Sequence, residues 1–218
     1  MQTESTEMYL ITVYRLTRKA AHASTKEIAE MLGVSPPSVS ERVKRLAERG
    51  YLVHAWREGA ALTEEGRRIA INILRKHRLI ETFLAETAGY AIDEIHDEAC
   101  QIEHAMSDRL ADRLEAMLGY PEVDPHGHPI PRKDGSVAEL DFQSLADVSP
   151  GVTVTIRQVS DWDQAQLQYL RKLGLVPGIE ILVQDAAPFQ GPLTLQLDTQ
   201  TIAIARSIAE DIGVTLHE

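Results

Sequence analysis

Between residues 96 and 104 the chain reads HDEACQIEH. On an α-helix His96, Cys100, Glu103 and His104 fall at i, i+4, i+7 and i+8, an arc of about 100° at ~100° per residue. Two imidazoles, a thiol and a carboxylate on one face are four metal-competent donors. A second pair, His77 and Glu81, sits at i, i+4 on the preceding helical stretch. Two antiparallel helices that turn such faces toward each other can hold ions between them, as helical bundles do. A lone His or Glu on a helix is ordinarily solvated, and a lone Cys ordinarily packs as a small hydrophobe. Six in phase on neighbouring helices point to metal. A hydrolytic use of that metal lacks sequence support, because no H-E-x-x-H signature and no separate general base accompany the ligands. A metallohydrolase built on these His, Glu and Cys residues stays open as an alternative. So does a regulator of another signal in which the set is structural.

The elements that must position these residues follow from periodicity and capping. Ser5 can cap a first helix to about Lys19, with Leu10, Val13, Tyr14 and Thr17 on one side. Ser24-Thr25-Lys26-Glu27 is a capping box that opens a short second helix, closed by Gly33. Ser35-Pro36 restarts a third helix with Val39, Val43 and Leu46 inward, closed by Gly50. Two short helices across a glycine turn make a helix-turn-helix, and the apolar stretches around Arg57-Glu58-Gly59 read as a hairpin, hence a wing. Thr63 starts a long helix ended by Gly89, and Asp93 caps the next stretch, which Ser107-Asp108 can restart. Residues 120–150 hold Pro121, Pro125, Pro129, Pro131 and Pro150 with Gly127 and Gly135 and read as a linker or loop region. Beyond it the period becomes two, with four or five short strands around DQAQLQYLRKLG, a pattern for a small bent β-barrel.

The chain has 218 residues, room for one large domain or two to three small ones. Hydrophobic residues make up 44% and charged residues 25%, which excludes a disordered chain. No apolar run approaches the ~20 residues of a membrane span, and the N-terminus lacks the basic and apolar regions of a secretory signal, so the cytoplasm is the expected location. The single cysteine excludes an internal disulfide framework. The net charge of −11 is uneven. Residues 1–70 carry eleven Lys and Arg against nine Asp and Glu, while the remainder carries eleven against twenty-four. A mildly basic head on an acidic body fits a protein whose N-terminal part alone meets phosphate.

The segments TEMYL, RKHRLIETFL and HDEACQIEHAMSDRL, in that order, resemble the diphtheria toxin repressor family of metal-activated transcriptional repressors. LRKLGLVPGIEILV resembles the FeoA-like module that often ends such chains. The implied fold is mainly α with small β: a winged helix-turn-helix (1–70), a helical metal-binding and dimerisation domain (71–142) and a FeoA-like small β-barrel (150–218). The resemblance implies two metal sites per chain. One would use His77, Glu81 and His96, completed by Asp161 and Gln164 from the barrel, where the family has Glu in place of Asp161. The other would use Met8, Cys100, Glu103 and His104. Sulfur donors favour iron(II) over manganese(II), which stays a serious alternative because the first site is all N and O.

On the DNA side the family pattern implies Ser35, Pro37, Ser38, Ser40 and Glu41 as groove-facing residues of the third helix. Arg42, Lys44, Arg45 and Arg57 are the candidate phosphate contacts. Glu41 replaces a Gln of the diphtheria repressor, so a different operator is expected. The implied partners are a palindromic double-stranded operator and a second copy of the chain, with no membrane and no small organic substrate. The implied activity is non-enzymatic: repression of iron or manganese homeostasis genes.

Overall fold

The computed structural model describes every residue except 1–2, 19, 56–58, 162 and 217–218, and the side chains of residues 54 and 55 are also undescribed. The chain forms two compact units. The first comprises Met1–His77, Gln101–Asp112 and Pro131–Val137. The second comprises Arg78–Cys100, Arg113–Ile130 and Ala138–Glu218.

In the first unit α1 runs Glu4–Leu16, capped by Thr3 rather than Ser5, because the Thr3 side chain accepts the backbone N–H of Thr6. The capping box at Ser24 and Glu27 forms as read and opens α2 (Thr25–Leu32), which Gly33 closes in the left-handed conformation. Ser35 caps α3 (Pro36–Glu48) with proline at the first turn. Leu10, Val13, Ile28, Val39, Val43 and Leu46 are buried together, so α3 has one face locked inward and the other free. The wing is β1 (Leu52–Ala55) against β2 (Gly59–Leu62), antiparallel, with Leu52 opposite Leu62. Ala23 and Ala60 exchange both backbone hydrogen bonds at 2.8 Å and tie the wing to the start of α2. The approach is close: a Cβ on Gly59 would meet the Ala23 carbonyl oxygen at 2.4 Å.

Helix α4 (Glu64–Glu86) carries His77 and Glu81 one turn apart. Helix α5 (Ile95–Ile102) is shorter than the apolar period suggests, and α6 begins anew at Asp108 and ends at Met117, with the Ser107 hydroxyl accepting the N–H of Leu110. Glu103 and His104 therefore lie in the turn after α5, not on its helical face. Among the described residues no helix is long and apolar enough to cross a membrane.

The second unit contains a six-stranded antiparallel sheet in the order β3-β8-β4-β5-β6-β7. Its strands are β3 (Gln143–Ser144), β4 (Thr153–Gln158), β5 (Glu180–Ala186), β6 (Leu193–Leu197), β7 (Gln200–Ile204) and β8 (Gly213–Leu216). Val154, Ile156, Val183, Leu193 and Leu195 point into its core, and α7 (Gln164–Lys172) covers them with Leu167 and Leu170. The expected barrel does not close in strand pairing: β3 and β7 are the two edges among the described residues.

Of the two readings of 120–150, linker or loop, the first third is a loop, but a buried one and not a solvated linker. Asp124, His126, Gly127, His128, Pro129 and Ile130 are all buried. This loop is clamped to β4 and its bulge: the N–H of Val159 donates to the His126 carbonyl at 2.9 Å. Gly127 takes a φ of +87°, and a Cβ there would meet the Arg157 carbonyl oxygen at 1.8 Å. Gly127→Ala should therefore destabilise the metal-free protein by at least ~1–3 kcal/mol, since both backbone strain and a backbone clash oppose it. A denaturant-unfolding midpoint unchanged from wild type would contradict that.

Candidate metal centre

In the first unit, α1, α4 and the turn after α5 converge on four polar side chains. His77 and Glu103 are both almost fully buried, with Nδ1 and Oε2 2.6 Å apart. The other Glu103 oxygen, Oε1, lies 3.2 Å from His104 Nε2. His104 Nδ1 lies 2.6 Å from Oε2 of Glu7, on α1. Met8 follows Glu7 and is half-buried. His104 Nε2 is buried without a hydrogen-bond partner. A carboxylate oxygen and a bare imidazole nitrogen about 3 Å apart have the separation of two ligands on one ion, given metal–ligand bonds of ~2.0–2.2 Å.

The second unit holds a denser set. Donor atoms of Glu81, Asp124 and His126 all lie within 4.8 Å of one another, and all three residues are buried. Glu81 spreads its two oxygens, Oε1 3.4 Å from His96 Nδ1 and Oε2 3.8 Å from His126 Nδ1. His126 Nε2 donates to the carbonyl of Ile92 at 3.0 Å, which leaves Nδ1 as the nitrogen facing Glu81, buried and without a hydrogen-bond partner. Asp124 Oδ1 accepts the backbone N–H groups of His126 and His128, both at 2.9 Å, and Oδ2 lies 3.3 Å from Nε of Arg78. Arg78 also donates to the Pro129 carbonyl at 2.6 Å, so α4 pins the loop. His128 pairs through Nδ1 with the Gln158 side chain, and its Nε2 sits 3.5 Å from Oδ1 of Asp161, itself buried.

The electrostatics of this cluster ask for a cation. Burial, then the neighbouring Glu81 carboxylate, pushes Asp124 up to about 7 despite Arg78. Burial works against a charged His126, but Glu81, Asp124 and Asp161 outweigh it and raise its pKa. Burial lowers His128 to about 4, so it is a neutral imidazole, the form that ligates. Several carboxylates brought together out of water must take up protons or a positive ion. The donors present, carboxylate oxygens and bare imidazole nitrogens, fit a divalent transition metal.

The two residues from the C-terminal module separate. Asp161 joins the cluster through His128. Gln164 is the first residue of α7, and its amide donates to the Asp93 carbonyl at 3.0 Å. Asp93 does not cap α5; its carboxylate accepts from Arg171 at 2.5 Å. Cys100 lies with its Sγ 3.6 Å from His96 Nε2. The sequence reading did not single out Asp124, His126 and His128, because the prolines around them suggest a linker or loop. The signal was the run DPHGHP, an acid and two imidazoles at alternate positions, and Glu7 was masked by its neighbour Met8.

On α3 the exposed face presents Pro37, Ser40, Glu41 and Lys44. Ser35 and Ser38 are exposed at its N-terminus and share a hydroxyl hydrogen bond of 2.8 Å. Arg45 is exposed and lies 3.6 Å from Glu41. Arg42 turns back to α1, donating to the Thr6 hydroxyl at 3.0 Å. Arg57 lies outside the described residues.

Residues 1–60 match the family described as iron dependent repressor, N-terminal DNA binding domain, and residues 63–132 its metal binding and dimerisation domain. Residues 143–216 match the FeoA domain. The iron-dependent repressor IdeR of Mycobacterium leprae is 35% identical over 193 residues, 83% of this chain and 84% of that protein. The diphtheria toxin repressor of Corynebacterium glutamicum is 33% identical over 223 residues, 97% of this chain and 96% of that protein. The chain belongs to the diphtheria toxin repressor family. Among solved structures, a manganese-dependent transcriptional repressor in complex with manganese matches with a TM-score of 0.86 at 36% identity, covering 97% of this chain and 100% of that one. ScaR with bound Cd2+ matches at 0.83 and 35%, covering 96% and 98%. These relatives are named as repressors, and the family places this chain with metal-dependent regulators of transcription.

A ligand that binds only the folded state at 100 times its Kd stabilises by ~2.7 kcal/mol. Manganese(II) or anaerobic iron(II) should thus raise the thermal midpoint of this repressor by several degrees. In Asp124→Ala the rise should shrink, and a full wild-type rise in that variant would remove Asp124 from the metal set.

Proposed function

We propose that the chain is a homodimeric, metal-activated repressor of iron or manganese homeostasis genes that binds a palindromic operator. The observation that carries this reading is the pair of buried donor clusters in one chain with a winged helix-turn-helix. In each cluster an imidazole nitrogen is buried without a hydrogen-bond partner beside a carboxylate: His104 Nε2 beside Glu103, and His126 Nδ1 beside Glu81. Two sites per chain follow. Met8, Glu103 and His104 serve the first. Glu81, Asp124, His126 and Asp161 serve the second, with His96 added by the resemblance. The position of Gln164, turned to Asp93, supports a structural rather than a ligating role.

The bound ion supplies positive charge and fixed bond directions to these donors. Sulfur from Met8 favours iron(II) at the first site, and the oxygen- and nitrogen-only second cluster accepts manganese(II) equally well. The chain's own residues supply the rest. Glu7 and Met8 lie on α1, whose buried side packs in the same core as α3, so a constraint on the start of α1 bears on the recognition helix. Metal shifts the head toward the DNA-competent pose only by its differential affinity for that pose. In a dimer the two recognition helices then match half-sites one helical turn apart. Pro37, Ser40 and Glu41 face the bases, with Ser35 and Ser38 at the helix start. Lys44 and Arg45 meet phosphate, and Arg42 acts mainly by holding α1 to α3. Such a protein works in the cytoplasm, where the DNA is.

Operator binding, measured by fluorescence anisotropy on the protein's own promoter, should require added divalent metal and disappear with chelator. His77→Ala and His104→Ala should each lose the metal response while keeping a wild-type circular dichroism spectrum. Equal affinity with and without metal sinks the reading. Lys44→Ala should flatten the slope of log K against log salt by about one per lost phosphate contact and leave sequence preference intact.

A further inference from the structure

We propose that Glu7 is a positioning residue that fixes the tautomer of His104 and so readies its other nitrogen for the metal. The inference rests on the reading of His104 as a ligand. The side chains of Glu7 and His104 are 13% and 11% exposed, so water competes weakly for their contact. Glu7 Oε2 stands 2.6 Å from His104 Nδ1, a length expected of a charge-assisted hydrogen bond. A carboxylate can only accept, so Nδ1 carries the proton and donates it. In the neutral ring the lone pair is then on Nε2, the atom that is buried without a hydrogen-bond partner and lies 3.2 Å from Glu103 Oε1. The same device operates at His126, whose Nε2–H is spent on the Ile92 carbonyl and whose Nδ1 faces Glu81. A carboxylate behind an imidazole fixes the tautomer and orients the ring toward an ion on the far side.

The origin of Glu7 gives the contact its consequence. It belongs to α1, the first helix of the DNA-reading head, whereas His104 follows α5. Ring orientation and head position are thus coupled, and by linkage a head held in place tightens metal binding as much as metal holds the head.

Nitrogen-15 NMR of the full-length, metal-free wild type, labelled at histidine, reads the tautomer directly. The expected spectrum has His104 protonated at Nδ1, assigned by its loss in His104→Ala. A proton on Nε2 overturns the proposal whatever the variants do. Chelator-competition titration with manganese(II) should find one of the two binding events weakened about 10–100-fold in Glu7→Ala. Glu7→Gln, whose amide oxygen still accepts from Nδ1, should recover most of that loss. Wild-type metal affinity in Glu7→Ala, or equal losses in both variants with the tautomer unchanged, would reduce Glu7 to a packing residue. Wild-type protein that binds no metal would instead sink the repressor reading itself.

Discussion

A buried carboxylate has to be answered by positive charge or by a proton, and the second unit gathers three: Glu81, Asp124 and Asp161. Facing them are the Arg78 guanidinium and the imidazoles of His126 and His128. The balance is short of positive charge, and the molecule registers this by raising both Asp124 and His126 toward their protonated forms. An ion that displaces those protons replaces a weak solution with a strong one. A divalent cation held by these donors would be coupled to the fold through desolvation.

Imidazole orientation is the second constraint. Three histidines each use one ring nitrogen on a fixed partner, Glu7 for His104, the Ile92 carbonyl for His126 and Gln158 for His128. These partners come from a helix, a loop and a strand, so ring direction is set by the packing of elements far apart in sequence. The clamp of the 124–130 loop on the β4 bulge serves the same end, holding His126 and His128 where Glu81 and Asp161 can reach them.

In the first unit the helix-turn-helix follows from local signals alone. The capping box at Ser24, the Ser35-Pro36 start and the glycines at 33 and 50 each satisfy a backbone requirement within four residues of themselves. With Val39, Val43 and Leu46 buried, the opposite face of α3 has to be solvent-exposed, and its Pro37, Ser40, Glu41 and Lys44 are the residues available to a DNA groove. The Arg42 side chain shows the limit of charge as evidence: from sequence it is one more cation for phosphate, yet its bond to Thr6 makes it a brace between α1 and α3.

The sequence by itself placed most of the helices and four strands of the C-terminal module, and it singled out His77, Glu81, His96, Cys100, Glu103 and His104 as candidate donors, because helical and strand periods and capping chemistry act over a few residues; β3 and β8 were not legible. The break between α5 and α6 was legible at Ser107, whereas the end of α5 before Glu103 was not, since the apolar period continues through it. Tertiary structure alone decided that most of DPHGHP is buried against Glu81 and Asp161, that Glu7 backs His104 and that Gln164 turns to Asp93. Each of these depends on contacts across 30 to about 100 residues, where burial converts ordinary acids and imidazoles into groups that need a partner, and no local pattern encodes that need.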